Sequence, residues 1–340
     1  MTSRERVINT LNFRPVDRIP RDLWTLPGVR LYRSSELARV QELFPVDFSG
    51  SEIKWGPCPR VKGAAGVPGL WTDGWGVVRE TRTAGVTGAV VNALLDDWPA
   101  LDTYQPPWEM LNQADFSNAG KFYENSDKFI FIPSHVDPFQ RMQLLRGSEK
   151  LFIDLAYGTK EMFLLRDMVH EFNLRSIELC AAADCDGVRF ADDWGSQTNM
   201  LISPDMWREL FKPLYKEYCD ILKSKGKYIF FHSDGFIEPI YPELIELGIS
   251  AVNSQVFCMD MARLGREYGG KITFWGEIDR QHILPFGTTE EVRAAVRRAA
   301  SALLHNGSGV IAQCEWGVND PAENIIAAFD EWNKITETAI

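Results

Sequence analysis

From about residue 125 onward, short apolar runs alternate with longer amphipathic stretches. The runs are Phe129-Ile-Phe-Ile-Pro-Ser-His135, Gly187-Val-Arg-Phe-Ala-Asp-Asp193 and Tyr228-Ile-Phe-Phe-His-Ser-Asp234. They continue as Ala251-Val-Asn-Ser-Gln255, Ile272-Thr-Phe-Trp-Gly-Glu-Ile-Asp279 and Gly309-Val-Ile-Ala-Gln-Cys-Glu315. Each begins apolar and turns polar at its end. Between them, residues 149–155 and 159–183 repeat apolar positions with the 3.6-residue period of a helix. Ser203-Pro204-Asp205 is a cap followed by proline at the first helical position, and Thr288 precedes Glu290 and Glu291, which suit the positive end of a helix dipole. Pro321 opens a last helix. Strands alternating with helices predict βα units around a parallel sheet. Two more runs, at 17–24 and 45–49, bring the strands to eight. The pattern therefore predicts an α/β fold, one (β/α)8 TIM barrel over residues 1–340.

Residues 50–123 break that rhythm. They are rich in Gly, Pro and Trp and are expected to form a long irregular excursion after the second strand, a lid or insert over the barrel mouth. A small antiparallel hairpin is expected at Trp71-Thr-Asp-Gly-Trp-Gly-Val-Val-Arg79. Long irregular loops in compact domains are often lids or binding loops.

In such a barrel the apolar-to-polar gradient of each strand puts packing residues in the middle and chemistry at the carboxyl end. The polar groups collected there are His135 and Asp137, Asp192 and Asp193, His232 and Asp234, Gln255, Glu277 and Asp279, then Cys314 and Glu315. So many carboxylates at one end would repel unless they hold a cation, a proton or a substrate. In His232-Ser-Asp234-Gly235, residues two apart share a strand face, so imidazole and carboxylate both point into the mouth. That pair fits a carboxylate orienting the imidazole, a divalent metal site, or acid–base chemistry. Cys314, ending the final strand, is expected to meet His232 across the mouth and complete a metal site with Glu277 assisting; Cys258 is a further candidate. Asp193, Glu315 and Asp234 are the candidate catalytic acids, provided burial raises their pKa. Arg21 and Arg30 could clamp a substrate carboxylate, with His135, Asp192 and Gln255 as further substrate contacts. No dinucleotide-binding, phosphate-loop or nucleophile-elbow motif is present.

Charge narrows the partners. The net charge of −11, without a run of five basic residues, argues against nucleic acid or an anionic membrane surface. No window approaches the ~18 apolar residues of a membrane span, and the start lacks the apolar core of a signal peptide. Cysteines are scattered at 58, 180, 185, 219, 258 and 314 and read as reduced thiols, so a cytoplasmic location is expected.

An ordered set of segments resembles the uroporphyrinogen decarboxylase superfamily over nearly the full chain. They are Arg4 to Phe13 with Pro15-Val-Asp-Arg-Ile-Pro20, Leu201 to Pro213, Phe231-His-Ser-Asp-Gly-Phe-Ile237, Leu244 to Asn253, Gly276-Glu-Ile-Asp-Arg-Gln281 and Asp320-Pro-Ala-Glu-Asn324. The resemblance implies a (β/α)8 barrel, dimeric in many true decarboxylases. It also implies one of two chemistries. Decarboxylases of haem synthesis grip a tetrapyrrole without metal, using an early Arg-Gln-Ala-Gly-Arg and a late Gly-His-Gly. Here those regions read Trp24-Thr-Leu-Pro-Gly-Val-Arg30 and Ala312-Gln-Cys-Glu-Trp-Gly317, and the substrate-binding residues are mostly gone. The other branch passes methyl groups between a corrinoid protein and a thiol, O-methyl or N-methyl compound, with zinc on a His-x-Cys and a late Cys. This chain is similar in keeping His232 and Cys314 but carries Asp234 in place of the middle Cys. The resemblance thus implies a methyltransferase holding zinc, a small-molecule substrate and a corrinoid-binding protein partner. The rival expectations are a metal-free decarboxylase of a porphyrinogen or other carboxylate, and a non-catalytic binding protein.

Overall fold

The computed structural model describes residues 1–339. Eight strands run parallel: β1 Arg21–Thr25, β2 Phe48–Gly50, β3 Phe129–Pro133, β4 Gly187–Ala191, β5 Tyr228–Ser233, β6 Ala251–Ser254, β7 Thr273–Trp275 and β8 Val310–Trp316. They pair in the order β1-β8-β7-β6-β5-β4-β3-β2. The seam between β1 and β2 carries no ladder but is tied by Asp47. Its N–H donates to the Arg21 carbonyl (2.9 Å), and its carboxylate accepts the Arg21 N–H (2.7 Å). The result is a nearly closed (β/α)8 barrel, as the alternating pattern predicts.

Helices surround the sheet, and several of them begin at side-chain caps. Thr159 caps Lys160–Ala182, Ser203 caps Pro204–Leu210, and Thr288 forms a capping box with Glu291 at the head of Thr289–Leu303. These caps satisfy amide groups that the first helical turn leaves without partners. No described helix is long and apolar enough to cross a membrane.

Two apolar compartments form. One lies between the strands and the helical ring. The other fills the barrel itself with Phe48, Phe129, Phe230, Trp275 and Ile311, and is plugged from below by Val7 and Leu11 of the first helix. Side chains alternate across a strand, so Phe230 facing inward means that His232 does too. That alternation decides which polar residues reach the mouth.

The excursion contains the expected hairpin. Gly69–Thr72 pairs antiparallel with Val78–Thr81, and Ala89–Val90 adds a third strand. It packs outward through Trp75 and Trp108 against Phe172 of the helix Lys160–Ala182. At Gly85 it approaches the loop after β1 so closely that a Cβ there would lie 2.6 Å from the Gly28 Cα.

Candidate active site

The polar half of the mouth is built around β4 and β5. Gly195 and Gly235 let the loops after these strands touch: a Cβ on Gly235 would lie 2.3 Å from the Gly195 backbone. The Gly195 N–H donates to the Asp234 carbonyl (3.1 Å), and the Asp234 N–H donates to Asp193 Oδ1 (3.0 Å). The two carboxylates are thereby brought over His232. Its Nε2 lies 3.6 Å from Asp193 Oδ1 and 3.8 Å from Asp234 Oδ1.

The imidazole is fixed from the other side. Asn253 on β6, in register with His232, donates through Nδ2 to the Trp275 carbonyl (2.5 Å). That turns its Oδ1 toward His232 Nδ1, 2.6 Å away. An amide oxygen can only accept, so Nδ1 carries a proton and Nε2 is left facing the two aspartates. The edge of Trp24 packs on the ring, with centroids 5.1 Å apart.

These three side chains form the one group of His, Cys, Asp and Glu among the described residues whose donor atoms lie close enough together to hold a metal ion, all within 4.8 Å of one another. Ligands at about 2.1 Å around a tetrahedral zinc stand roughly 3.4 Å apart, near the spacings found here. One imidazole and two carboxylates suit zinc or another borderline-to-hard divalent ion and lack the thiolates of softer sites. The donor set fits a divalent cation.

Arg280, after β7, draws further carboxylates together. It donates to Asp234 and to Glu315 on β8, and its Nε lies 3.7 Å from Glu277. Burial opposes its charge, but Glu277, Asp234 and Glu315 more than offset that and hold it firmly protonated. Glu277 is buried, and neither of its oxygens has a hydrogen-bond partner. Burial pushes its pKa up to about 8 against the pull of Arg280, so it keeps a proton at neutral pH.

The other half of the mouth is aromatic. A cavity of about 540 Å³ opens beside β1 and β2, lined by Asp22, Trp24, Arg30, Phe48, Phe131 and Arg189. Asp22 accepts the indole N–H groups of Trp24 (2.8 Å) and Trp275 (3.1 Å); burial raises its pKa to about 6 against those two bonds. Arg189 projects inward from mid-β4 over the faces of Trp24 and Phe131. Burial lowers its pKa, countered by Asp22.

Other residues expected at the mouth stand elsewhere. Gln313 faces inward, since its Oε1 accepts from Asn253. Its neighbour Cys314 therefore faces outward, fully buried among the apolar residues beneath the helices, where burial drives the thiol pKa far up. The structure does not bring Cys314 to His232, which corrects the expected pairing. Glu277 likewise lies beside Arg280 and outside the group formed by His232, Asp193 and Asp234. Arg21 faces outward toward Phe44, on the opposite side of β1 from Asp22. Asp192 faces outward as well. It accepts the N–H groups of Phe139 and Gln140 at the start of the helix Pro138–Arg146 and the Tyr215 hydroxyl, and burial pushes its pKa to about 8. His135 sits between Trp55 and Phe172, where burial lowers its pKa to about 4. Gln255 is buried and accepts from the Cys258 thiol (3.6 Å). Arg30 does reach the cavity rim. Arg189, Arg280, Asn253 and Asp22 were not among the expected site residues.

A parallel barrel with titratable side chains gathered at the carboxyl ends of its strands defines an enzyme-like site. Residues 129–334 match the family model described as uroporphyrinogen decarboxylase (URO-D), and the chain belongs to that family. No match was found among curated proteins. Among solved structures, a methyltransferase from Methanosarcina mazei has the same fold, with a TM-score of 0.71 at 15% identity over 98% of this chain and 99% of that one. The intracellular xylanase TsXylA from Thermoanaerobacterium saccharolyticum is more distant, with a TM-score of 0.41 at 10% identity over 89% and 86% of the two chains.

Proposed function

We propose that this chain is a methyltransferase-type enzyme that moves a methyl group between an O-methyl, N-methyl or thiol compound and a corrinoid protein partner. The observation that carries this reading is the Nε2 of His232, turned by Asn253 toward Asp193 and Asp234, with the donor atoms of all three side chains close enough to hold one ion. Two carboxylates and an oriented imidazole at one point suit a divalent ion better than a metal-free decarboxylase site. The name of the M. mazei protein agrees with this reading.

In this reading His232, Asp193 and Asp234 hold the metal, in place of the expected His232, Cys314 and Glu277. Zinc or a similar ion bound there would supply Lewis acidity to the oxygen or nitrogen that loses its methyl group, or favour the thiolate of a thiol acceptor. Asn253 fixes the ring and its tautomer, the part usually played by an outer partner of a metal-binding histidine. Arg280 engages Asp234 and Glu315, two of the expected acids, and keeps them in place. Glu277 is the carboxyl that retains a proton at neutral pH and is the reserve from which a leaving alkoxide is protonated. The aromatic floor of Phe48, Phe131 and Trp275 keeps water from below the reacting atoms, and the excursion serves as a lid over the mouth.

One observation favours the second reading, a metal-free decarboxylase: Arg189 could grip a substrate carboxylate. The test that separates the two is incubation of zinc-loaded protein with cob(I)alamin and methoxylated, N-methylated or S-methylated compounds. Appearance of methylcob(III)alamin, lost in His232→Ala, is expected. Carbon dioxide release from a porphyrinogen with no methyl transfer would overturn the proposal.

A further inference from the structure

Two cations face the interior of the mouth, and they differ in one respect. Arg280 is saturated by carboxylates. Arg189 has no hydrogen-bond or ion-pair partner among the described residues, and its Nε is buried without one. Arg189 is half-buried, and a guanidinium drawn partly out of water without an ionic partner costs stability, so its position among aromatic rings at the cavity wall suits a ligand. The cavity it faces is large enough for a small molecule. Arg189 lies over Trp24, with 5.0 Å from Cζ to the ring centroid, and at 5.8 Å over Phe131, which leaves the edge of its fork for an acceptor lying in the same plane. Asp22, the one acid that acts on it electrostatically, has both oxygens committed, Oδ2 to two indole N–H groups and Oδ1 to the Leu23 N–H.

We propose that Arg189 anchors the carboxylate of the enzyme's small-molecule substrate, which is therefore a monocarboxylate on a flat apolar body. A single planar fork matches a carboxylate in bidentate fashion. A phosphate dianion would call for a second buried cation, and Arg30, the other cation lining the cavity, is exposed and already donates to Thr25 (3.1 Å). The walls supplied by Trp24, Phe48 and Phe131 fit a ring or an unsaturated chain. Bound in this way, the far end of the ligand is directed across the mouth toward His232, whose ring also packs on Trp24. This inference rests on the methyl-transfer reading only in calling the ligand a methyl donor; the anchor itself does not depend on it.

The test uses benzoate and its neutral isostere benzamide as probes, titrated calorimetrically into the full-length protein. Wild type is expected to bind benzoate at least about tenfold more tightly than benzamide, about 1.4 kcal/mol. Arg189→Met should bring the two within about twofold, and Arg189→Lys should keep the preference at reduced size because a point charge replaces the fork. Equal affinities in wild type, no benzoate binding up to about 10 mM, or a preference that survives in Arg189→Met would overturn the proposal. The wild-type comparison decides the matter even if a variant fails to fold. A carboxylate preference without any methyl transfer would sink the proposed reaction and leave the anchor standing. Methyl transfer without the preference would do the reverse.

Discussion

The two halves of the mouth handle buried charge in opposite ways. On the side of β5 to β8, polar groups are cross-linked: Arg280 holds Asp234 and Glu315 beside the Glu277 carboxyl, and Asn253 holds His232. On the side of β1 to β4, Arg189 stands unmatched among aromatic rings. A matched charge keeps the fold together and holds catalytic groups in position. An unmatched one makes sense when something absent from the chain completes it. The contrast separates residues that position chemistry from residues that wait for a ligand.

The sharpest way to break that contrast is to remove each cation in turn. Arg280→Met strips two carboxylates, Asp234 and Glu315, of their partner and should cost about 3 kcal/mol of stability, the scale for breaking a buried pair. Arg189→Met deletes an unpaired charge and should leave stability within about 1 kcal/mol of wild type, or raise it. Urea unfolding of both variants measures this. Equal losses would mean that Arg189 has a structural partner after all.

A smaller effect concerns pH. The pKa of Glu277 rises from an ordinary 4.5 when unfolded to about 8 when folded, so the folded state binds its proton more tightly. Its contribution to stability is then fully present below about 4.5 and is lost as pH rises toward 8. Asp22 and Asp192 act with the same sign, so the informative quantity is the difference between proteins. Glu277→Gln should decline less steeply than wild type over this window, read from denaturant midpoints at several pH values. Parallel curves would place Glu277 in a wetter setting than this account gives it.

Much of the fold was legible in the sequence. All eight strands overlap the predicted runs, β2 by its first two residues only, and Ser203 and Thr288 cap the helices they were expected to cap. Strand and cap signals are local, and local chemistry decides them. The site was legible in part. His232, Asp193 and Asp234 were expected at the mouth and do meet there. The expectation for Cys314 failed by one residue of alternation. In Val310-Ile-Ala-Gln-Cys-Glu-Trp316, side chains of 313 and 315 share a face, so a strand that sends Glu315 inward sends Cys314 outward. Asp192 beside Asp193 carries the same lesson. Alternation applied strictly could also have found Arg189, which shares its face with Asp193 and interrupts an apolar strand with a charge. Arg280 was harder to see, because it follows β7 in a loop and its partners come from β5, β7 and β8.

The central claim is that His232, with Asp193 and Asp234, forms the metal site and that Cys314 belongs to the apolar layer. It is tested most directly by the metal content of protein purified without chelator, loaded with zinc and desalted. Wild type and Cys314→Ala should each keep about one equivalent, while His232→Ala keeps less than about a tenth. Loss of the metal from Cys314→Ala, with His232→Ala unaffected, would contradict the account.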